Sequence, residues 1–236
     1  MTAARVRVLA VLAFLLLVAG AFAIAGRRTP VPAEKPPLML LTSLPIVFGE
    51  QFAIDDGGSP ALDALERRYR VRTISVTSPR ELRGGNLLLM AHPLAQTPEN
   101  LVALDQWVRR GGRVLLLADP MLEWPSERPL GDPLRLAPMF SDTGLLARWG
   151  LRLDTPEKPG PKVQKLADLE IVTDSPGTLH GSCRTSADRL MADCQVGSGR
   201  AFVVADADFI GTDQLDGATG DNLKALLALL DRLARA

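Results

Sequence analysis

Residues 86–120 constrain the fold more than any other part of the sequence, because they have the pattern of a strand, an amphipathic helix and a second strand. The first apolar run is 87–91. Residues 97–99 then supply the capping hydroxyl, first-turn proline and acidic side chain typical of a helix start. The second apolar run, 113–118, has almost no polar residues, as in strands covered on both faces. This unit predicts a parallel sheet with a right-handed crossover.

The remaining segments predict the other elements of one α/β domain over residues 38–236. They are a strand over 38–41, a helix starting at 59–60, an outer strand over 71–76, a short helix over 141–149, short antiparallel strands within 163–193, a buried strand over 201–205 and a last helix starting at 221–222. We therefore expect a mostly parallel sheet flanked by helices, with an antiparallel hairpin insertion.

The N-terminal segment 1–28 is predicted to lie outside that domain. An uncharged run over 8–26 stands between arginine pairs and is long enough to span a bilayer. It is either a retained transmembrane helix or a cleaved signal peptide, since Ala23-Ile24-Ala25 before Gly26 has the pattern of a signal-peptidase site; both interpretations export the body. The proline-rich stretch 29–37 is typical of a spacer. The retained helix predicts a single-pass protein of the inner (cytoplasmic) membrane, with its domain in the periplasm or outside.

The two cysteines, Cys183 and Cys194, are predicted to form a disulfide. Turn residues over 184–188 suggest a hairpin whose strands bring the sulfurs together, and an oxidising compartment would favour the bond. A zinc site that includes His180 and a pair of free thiols are the alternatives.

Several function classes have no support in the sequence. Basic and acidic residues are balanced at 27 each, which gives no basic surface for nucleic acid. Neither cysteine lies on a strand-to-helix elbow, no Gly-x-Ser-x-Gly occurs, and His92 and His180 are the only histidines. The glycine pairs lack the spacing of phosphate-binding loops, so we expect no cofactor.

Polar residues at the ends of the predicted strands form the candidate site. The ligand-binding candidates are Ser43, His92, Asp119, Asp206 and Asp208. Such residues converge beyond the carboxyl ends of parallel strands, where ligands bind. The aspartates could cap turns, bind a ligand or a hard cation, or act as an acid and base pair. His92, followed by proline, is more typical of a turn residue than of a base, and we predict no metal ligands.

The segment 121–160, rich in proline and tryptophan, has two interpretations. It is an ordinary insertion, or it is a lid or docking surface over the carboxyl edge of the sheet, anchored to a partner by Trp124 and Trp149.

Two segments together resemble the GldG-type auxiliary proteins of ABC transporters. The first segment is 86–120, whose helix ends in Trp-Val-Arg-Arg-Gly-Gly-Arg before the following strand and Asp119-Pro120. The other segment is 199–209, together with the helix that starts at Asn222. The resemblance implies a flavodoxin-like sheet of the class I glutamine-amidotransferase type. Amidotransferases have a nucleophilic cysteine where this sequence has Ala118-Asp119-Pro120, and no His-x-Glu pair follows near the last strand. The resemblance therefore implies the fold without glutaminase chemistry.

The expected function follows from the predicted tether, the missing nucleophile and this resemblance. We expect a non-catalytic, exported auxiliary component of an ABC-type transport system, tethered to the membrane and acting through partner or ligand binding. The resemblance implies an ABC-type ATPase and permease as partners. The main alternative is an exported hydrolase or metal-dependent enzyme using Asp119, Asp206 and Asp208. A soluble periplasmic binding protein is a third hypothesis and requires a cleaved signal.

Overall fold

The computed structural model describes residues 34–48, 58–129, 131–132 and 135–236. The predicted membrane segment 1–28 and residues 29–33 of the spacer lie outside the described residues. Within the described ranges, no helix has the length and apolar character needed to cross a membrane.

The described residues form eleven strands and five helices, with one 3-10 turn at Asp208–Ile210. The strands are β1 (Pro37–Thr42), β2 (Arg70–Thr73), β3 (Leu87–Ala91), β4 (Arg113–Leu117), β5 (Leu151–Asp154), β6 (Pro161–Leu166), β7 (Leu169–Asp174), β8 (Thr178–Gly181), β9 (Arg184–Thr185), β10 (Met191–Val196) and β11 (Gly199–Val204). The helices are α1 (Pro60–Arg68), α2 (Pro79–Leu82), α3 (Pro98–Arg109), α4 (Leu145–Arg148) and α5 (Gly220–Ala234).

The central sheet has seven strands in the order β2-β1-β3-β4-β11-β10-β9. The first five are parallel, whereas β10 and β9 are antiparallel additions at one edge. Counted by their order along the chain, the parallel strands have the 2-1-3-4-5 order of flavodoxin-like folds. The prediction of a mostly parallel sheet with an antiparallel hairpin is confirmed. The strand order reverses direction between β1 and β3, and this switch point is where such folds commonly bind ligands.

The predicted strand–helix–strand unit is confirmed as β3, α3 and β4. Thr97 caps α3 by accepting a hydrogen bond from the Asn100 backbone N–H at 3.4 Å, and proline occupies the first turn. The helix is followed by Gly111 at φ +107°, a backbone conformation that favours glycine. All five residues of β3 are buried, as expected of a strand covered on both faces.

The core has two layers, one on each face of the sheet. On one face, α1 and α5 pack Leu65, Leu226 and Leu229 against alternate strand residues such as Leu38 and Leu89. On the other face, α2, α3 and α4 cover the intervening strand residues; examples of this second layer are Leu82, Leu104, Leu146, Met39 and Leu116. Both faces are therefore sealed, and polar groups of the sheet concentrate at its ends.

Several predicted bounds differ from the structure. The helix predicted over 141–149 is the single turn α4, because the Asp142 carboxylate accepts hydrogen bonds from the backbone N–H groups of Gly144 (3.0 Å) and Leu146 (3.3 Å). Gly144 also has φ +99°, which is incompatible with a longer helix. The outer strand is β2, at the sheet edge as expected, but it ends at Thr73 rather than at residue 76.

The disulfide between Cys183 and Cys194 is present, with Cα atoms 4.9 Å apart. It ties the start of β9 to β10, which pair antiparallel with Thr185 opposite Ala192. The predicted disulfide hairpin is confirmed, and the zinc and free-thiol alternatives are wrong.

Candidate functional site at the carboxyl edge of the sheet

The five candidate residues lie beyond the carboxyl ends of four neighbouring parallel strands. Ser43 follows β1, His92 follows β3, Asp119 lies just beyond β4, and Asp206 and Asp208 lie beyond β11. The structure separates them into two groups. The three aspartates form one cluster, and Ser43 contacts His92 at the switch point.

The three aspartates form a buried carboxyl cluster. One carboxylate oxygen from each lies within 4.8 Å of the other two, and the exposed fractions of Asp119, Asp206 and Asp208 are 0%, 0% and 5%. Their convergence follows from the topology, because β4 and β11 are adjacent and parallel and end in register at Leu117 and Val204.

Five of the six carboxylate oxygens in this cluster accept a hydrogen bond from the protein. Asp119 accepts from the backbone N–H of Met121 at 2.8 Å and of Ala207 at 2.7 Å, so it joins the chain segments that leave β4 and β11. Asp208 accepts from the backbone N–H of Glu123 at 3.0 Å. These bonds give Asp119 the turn-capping role that its position after a strand predicts.

Asp206 lies deepest in the carboxyl cluster. It accepts from the backbone N–H of Phe209 at 3.0 Å and from the hydroxyl of Thr173, which is buried on β7. The hydrogen bond from Thr173 ties the β6–β7 hairpin to the central sheet.

Burial raises the pKa of all three carboxyl groups, and repulsion from neighbouring carboxylates adds to the shift. Burial raises the pKa of Asp119 to about 6, although hydrogen bonds from backbone N–H groups oppose the shift. For Asp208, burial and the neighbouring Asp119 charge raise the pKa to about 8. Burial, followed by the charges of Asp119 and Asp208, raises the pKa of Asp206 well above its usual range. The cluster therefore holds protons at neutral pH.

The chemistry of the carboxyl cluster suits two roles, cation binding and proton exchange. Oxygen ligands at this separation are of the type that hard cations prefer, and carboxyl groups with raised pKa values can exchange protons near neutrality. The hydrogen bonds of Asp119 and Asp206 give the carboxyl cluster a third, structural role, because they connect the ends of β4 and β11 with β7.

Ser43 and His92 are not arranged as a nucleophile and its general base, because the Ser43 hydroxyl contacts the backbone of His92 and not its ring. The Ser43 hydroxyl donates to the backbone carbonyl of His92, and the ring Nε2 lies 2.9 Å from the Ala137 carbonyl, to which it donates. The other ring nitrogen, Nδ1, is buried without a hydrogen-bond partner in the described structure. His92 is 1% exposed with φ +43°, and burial lowers its pKa, so the ring is neutral and occupies a turn.

The insertion after β4 lies against this edge of the sheet. Its backbone returns to the strand end, since the N–H of Phe140 donates to the Asp119 carbonyl at 2.6 Å, and Ala137 contacts His92. The two tryptophans point inward instead of serving as exposed anchors. Trp149 is 6% exposed and donates to the buried carboxylate of Asp105 at 3.1 Å, whereas Trp124 packs against the core.

A cleft of about 440 Å³ opens at the switch point, and we call it the switch-point cleft. Its floor is the end of β1 with the hydroxyls of Thr42 and Ser43. The rest of the lining comes from the loops after β1, β2, β3 and β4; its side chains include Leu44, Val47, Phe48, Ser75, Leu94, Gln96, Arg128, Arg135 and Leu136. Of the five predicted site residues, only Ser43 lines this cleft.

Sequence reasoning missed the two arginines of the cleft and the buried Asp105. Arg128 and Arg135 lie in a segment without helical or strand periodicity, so no pattern placed them near β1. Asp105 had a detectable signal, because it lies on the apolar stripe of α3 formed by Leu101, Leu104 and Val108. A charged residue at such a position is commonly paired, and here Arg109 and Arg148 contact it at 2.9 Å and 2.7 Å.

The strand order and the convergent strand ends define a flavodoxin-like α/β domain. The chain belongs to the family described as "ABC-type uncharacterized transport system", whose model matches residues 35–159. This match confirms the resemblance to GldG-type auxiliary domains, and it points to an auxiliary role in a transport system of that type. The matched range includes the strand–helix–strand unit but not β11, which the structure places beside β4.

Solved structures share the fold at low sequence identity. A cytoplasmic protein from Salmonella typhimurium LT2 is 11% identical with a TM-score of 0.54, over 84% of this chain and 99% of that one. The β-galactosidase from Bacillus circulans sp. alkalophilus is 13% identical with a TM-score of 0.51, over 86% of this chain and 32% of that one. The chain therefore spans about a third of the length of the glycosidases that it matches. No curated protein matches the sequence.

Proposed function

We propose that the protein is a non-catalytic, exported auxiliary subunit of an ABC-type transport system. In this proposal the N-terminal segment tethers it to the membrane, and the carboxyl edge of its sheet docks on the ATPase or permease subunits. Family membership supports the link to a transport system. The observation that carries the docking role is the position of the exposed hydrophobic side chains.

Exposed large hydrophobic residues concentrate at the carboxyl edge. The described residues include six of them: Phe48, Val76, Leu94, Val102, Met139 and Val163. Four of them lie in the loops that follow β1, β2, β3 and β4; in that order they are Phe48, Val76, Leu94 and Met139. Phe48 and Leu94 are 66% and 61% exposed and both line the switch-point cleft. Exposed apolar side chains gathered on one surface are typical of interaction sites.

The energetic benefit of docking there is substantial. Burying a large apolar side chain contributes about 1.5–3 kcal/mol, and every 1.4 kcal/mol changes an affinity about tenfold. Removal of two such side chains should therefore weaken a docked complex about a hundredfold or more.

Two further observations support export and a non-catalytic role. The Cys183–Cys194 disulfide is of a kind that persists in oxidising compartments. In addition, the place where the resemblance would put an amidotransferase nucleophile holds Ala118-Asp119-Pro120 instead of a cysteine, and the Asp119 carboxylate is engaged by two backbone N–H groups.

Co-purification of the full-length protein from solubilised membranes tests the proposal. The wild type should recover ATPase and permease subunits, and the double variant Phe48→Ser with Leu94→Ser should lose most of that recovery. Val163→Ser is the matched control, because Val163 is also 66% exposed but lies on β6, in the separate β6–β7 hairpin. Absence of transporter subunits with the wild type, or full recovery with the double variant, would contradict the proposal.

A further inference from the structure

We propose that the switch-point cleft binds a small organic anion that consists of a carboxylate on an apolar body. This inference rests on the proposed function and deepens it, because it gives the docking edge a ligand whose presence the transporter could sense.

The position and size of the cleft suit a small molecule. It lies at the β1/β3 switch point, where open α/β sheets bind ligands beyond the carboxyl ends of their strands. Its volume of about 440 Å³ falls within the range of small-molecule sites.

The charge of the lining favours an anion. Among the described residues that line the cleft, Arg128 and Arg135 are basic and none carries a carboxylate. Arg128 already has an ion-pair partner, since Asp132 lies 3.6 Å away. Arg135 uses Nη1 for the backbone carbonyls of Ser126 and Arg128, and no ion pair or hydrogen bond to another described residue engages its Nε or Nη2. Arg135 therefore has donors left for a carboxylate.

The hydroxyl groups on the floor reinforce this assignment. Thr42 donates to the Ala91 carbonyl at 2.9 Å, and Ser43 donates to the His92 carbonyl. Because their protons are engaged, these hydroxyls cannot donate to an anion, so the carboxylate is directed to Arg135.

The apolar part of the lining accommodates the body of the ligand. Leu44, Val47 and Leu136 form apolar wall, and Phe48 and Leu94 are exposed beside it. An apolar body covered by these side chains contributes burial, while one charged contact fixes its orientation.

A second cleft of the described structure shows the contrast. It measures about 570 Å³ and lies between the β6–β7 hairpin and β9, but its lining carries both signs of charge. There Arg184 pairs with the buried Asp193, which also contacts Arg200 at 2.7 Å. The charges of this lining therefore give no comparable preference for an anion.

The experiment compares hexanoate with its neutral isostere hexanamide. Both are titrated into the full-length protein in lipid nanodiscs by isothermal titration calorimetry, with empty nanodiscs subtracted. We expect hexanoate to bind at least tenfold more tightly than hexanamide. Arg135→Gln should weaken hexanoate at least tenfold and leave hexanamide unchanged.

Two further variants keep the test independent of the loop contacts of Arg135. Ser75→Trp adds bulk at an exposed position of the lining and should weaken both probes. Arg80→Gln, which removes an exposed charge on α2 outside the cleft, should change neither. A melting temperature for each variant reports folding, and if Arg135→Gln unfolds, the wild-type comparison and Ser75→Trp still decide.

Three results would each overturn the proposal: equal affinity for the two probes, no binding of hexanoate, or full hexanoate affinity in folded Arg135→Gln. These results are distinct from failure of the docking role. If hexanoate does not bind but the Phe48 and Leu94 variants lose the transporter, docking stands and the ligand proposal fails. If hexanoate binds as expected while those variants keep the transporter, the docking role fails.

Discussion

Replacement of Asp208 by asparagine tests directly whether the carboxyl cluster stores protons. Asp208 is 5% exposed, and its Oδ2 accepts a hydrogen bond from the backbone N–H of Glu123 at 3.0 Å. Asparagine retains an oxygen for this hydrogen bond but cannot ionise. Asp208→Asn therefore resembles the protonated form of Asp208 at every pH.

The magnitude follows from the raised pKa of Asp208, which is about 8 in the folded protein against an ordinary value of 3.8. Between these values the folded state binds a proton that the unfolded state releases. The corresponding stability is fully present below about pH 4 and is lost as the pH rises towards 8. One such proton changes the free energy of unfolding by about 1.4 kcal/mol per pH unit, or about 3 kcal/mol between pH 5 and pH 7.

Urea unfolding of the full-length wild type and Asp208→Asn at pH 5, 6 and 7 measures this loss. The variant should gain stability relative to the wild type by about 3 kcal/mol from pH 5 to pH 7. Asp216→Asn is the matched control, because Asp216 is exposed outside the cluster, and its curve should run parallel to the wild type. A constant difference between Asp208→Asn and the wild type over this range would refute the stored proton.

The other predictions concern the contacts that hold the outer elements. Cys183→Ser should lower the free energy of unfolding by about 3 kcal/mol, because the disulfide closes a loop with a sequence separation of 11; thermal unfolding with and without reductant checks this, and an unchanged melting temperature would contradict it. Asn222→Ala should cost about 3 kcal/mol, since it leaves the backbone N–H and carbonyl of Val172 and the carbonyl of Phe209 without their side-chain partner. Urea unfolding measures this loss, and a change below about 1 kcal/mol would show that water replaces the contacts.

Much of the fold could be predicted because local and long-range signals agree. The apolar runs of β3 and β4 are long enough to be recognised, and the helix between them has a cap, a first-turn proline and a terminal glycine. The convergence of Asp119 with Asp206 could also be predicted, since the ends of adjacent parallel strands meet at one edge.

The rest of the site depends on contacts that no periodic pattern encodes. Arg128 and Arg135 reach the switch-point cleft through an irregular insertion, whose path depends on backbone hydrogen bonds such as that from Phe140 to the Asp119 carbonyl. Trp149 is predicted as an anchor for a partner, but its indole N–H donates to the buried carboxylate of Asp105, 44 positions away in the sequence.

Site-specific photo-crosslinking in intact membranes tests the central claim, that the carboxyl edge docks on an ABC-type transporter. A photoreactive amino acid replaces Leu94 at the carboxyl edge or, as the control, Val163 on the β6–β7 hairpin; both positions are exposed, at 61% and 66%. We predict crosslinks to ATPase or permease subunits from position 94 and none from position 163. Transporter crosslinks from 163 alone, or from neither position in membranes that contain the intact complex, would contradict the account.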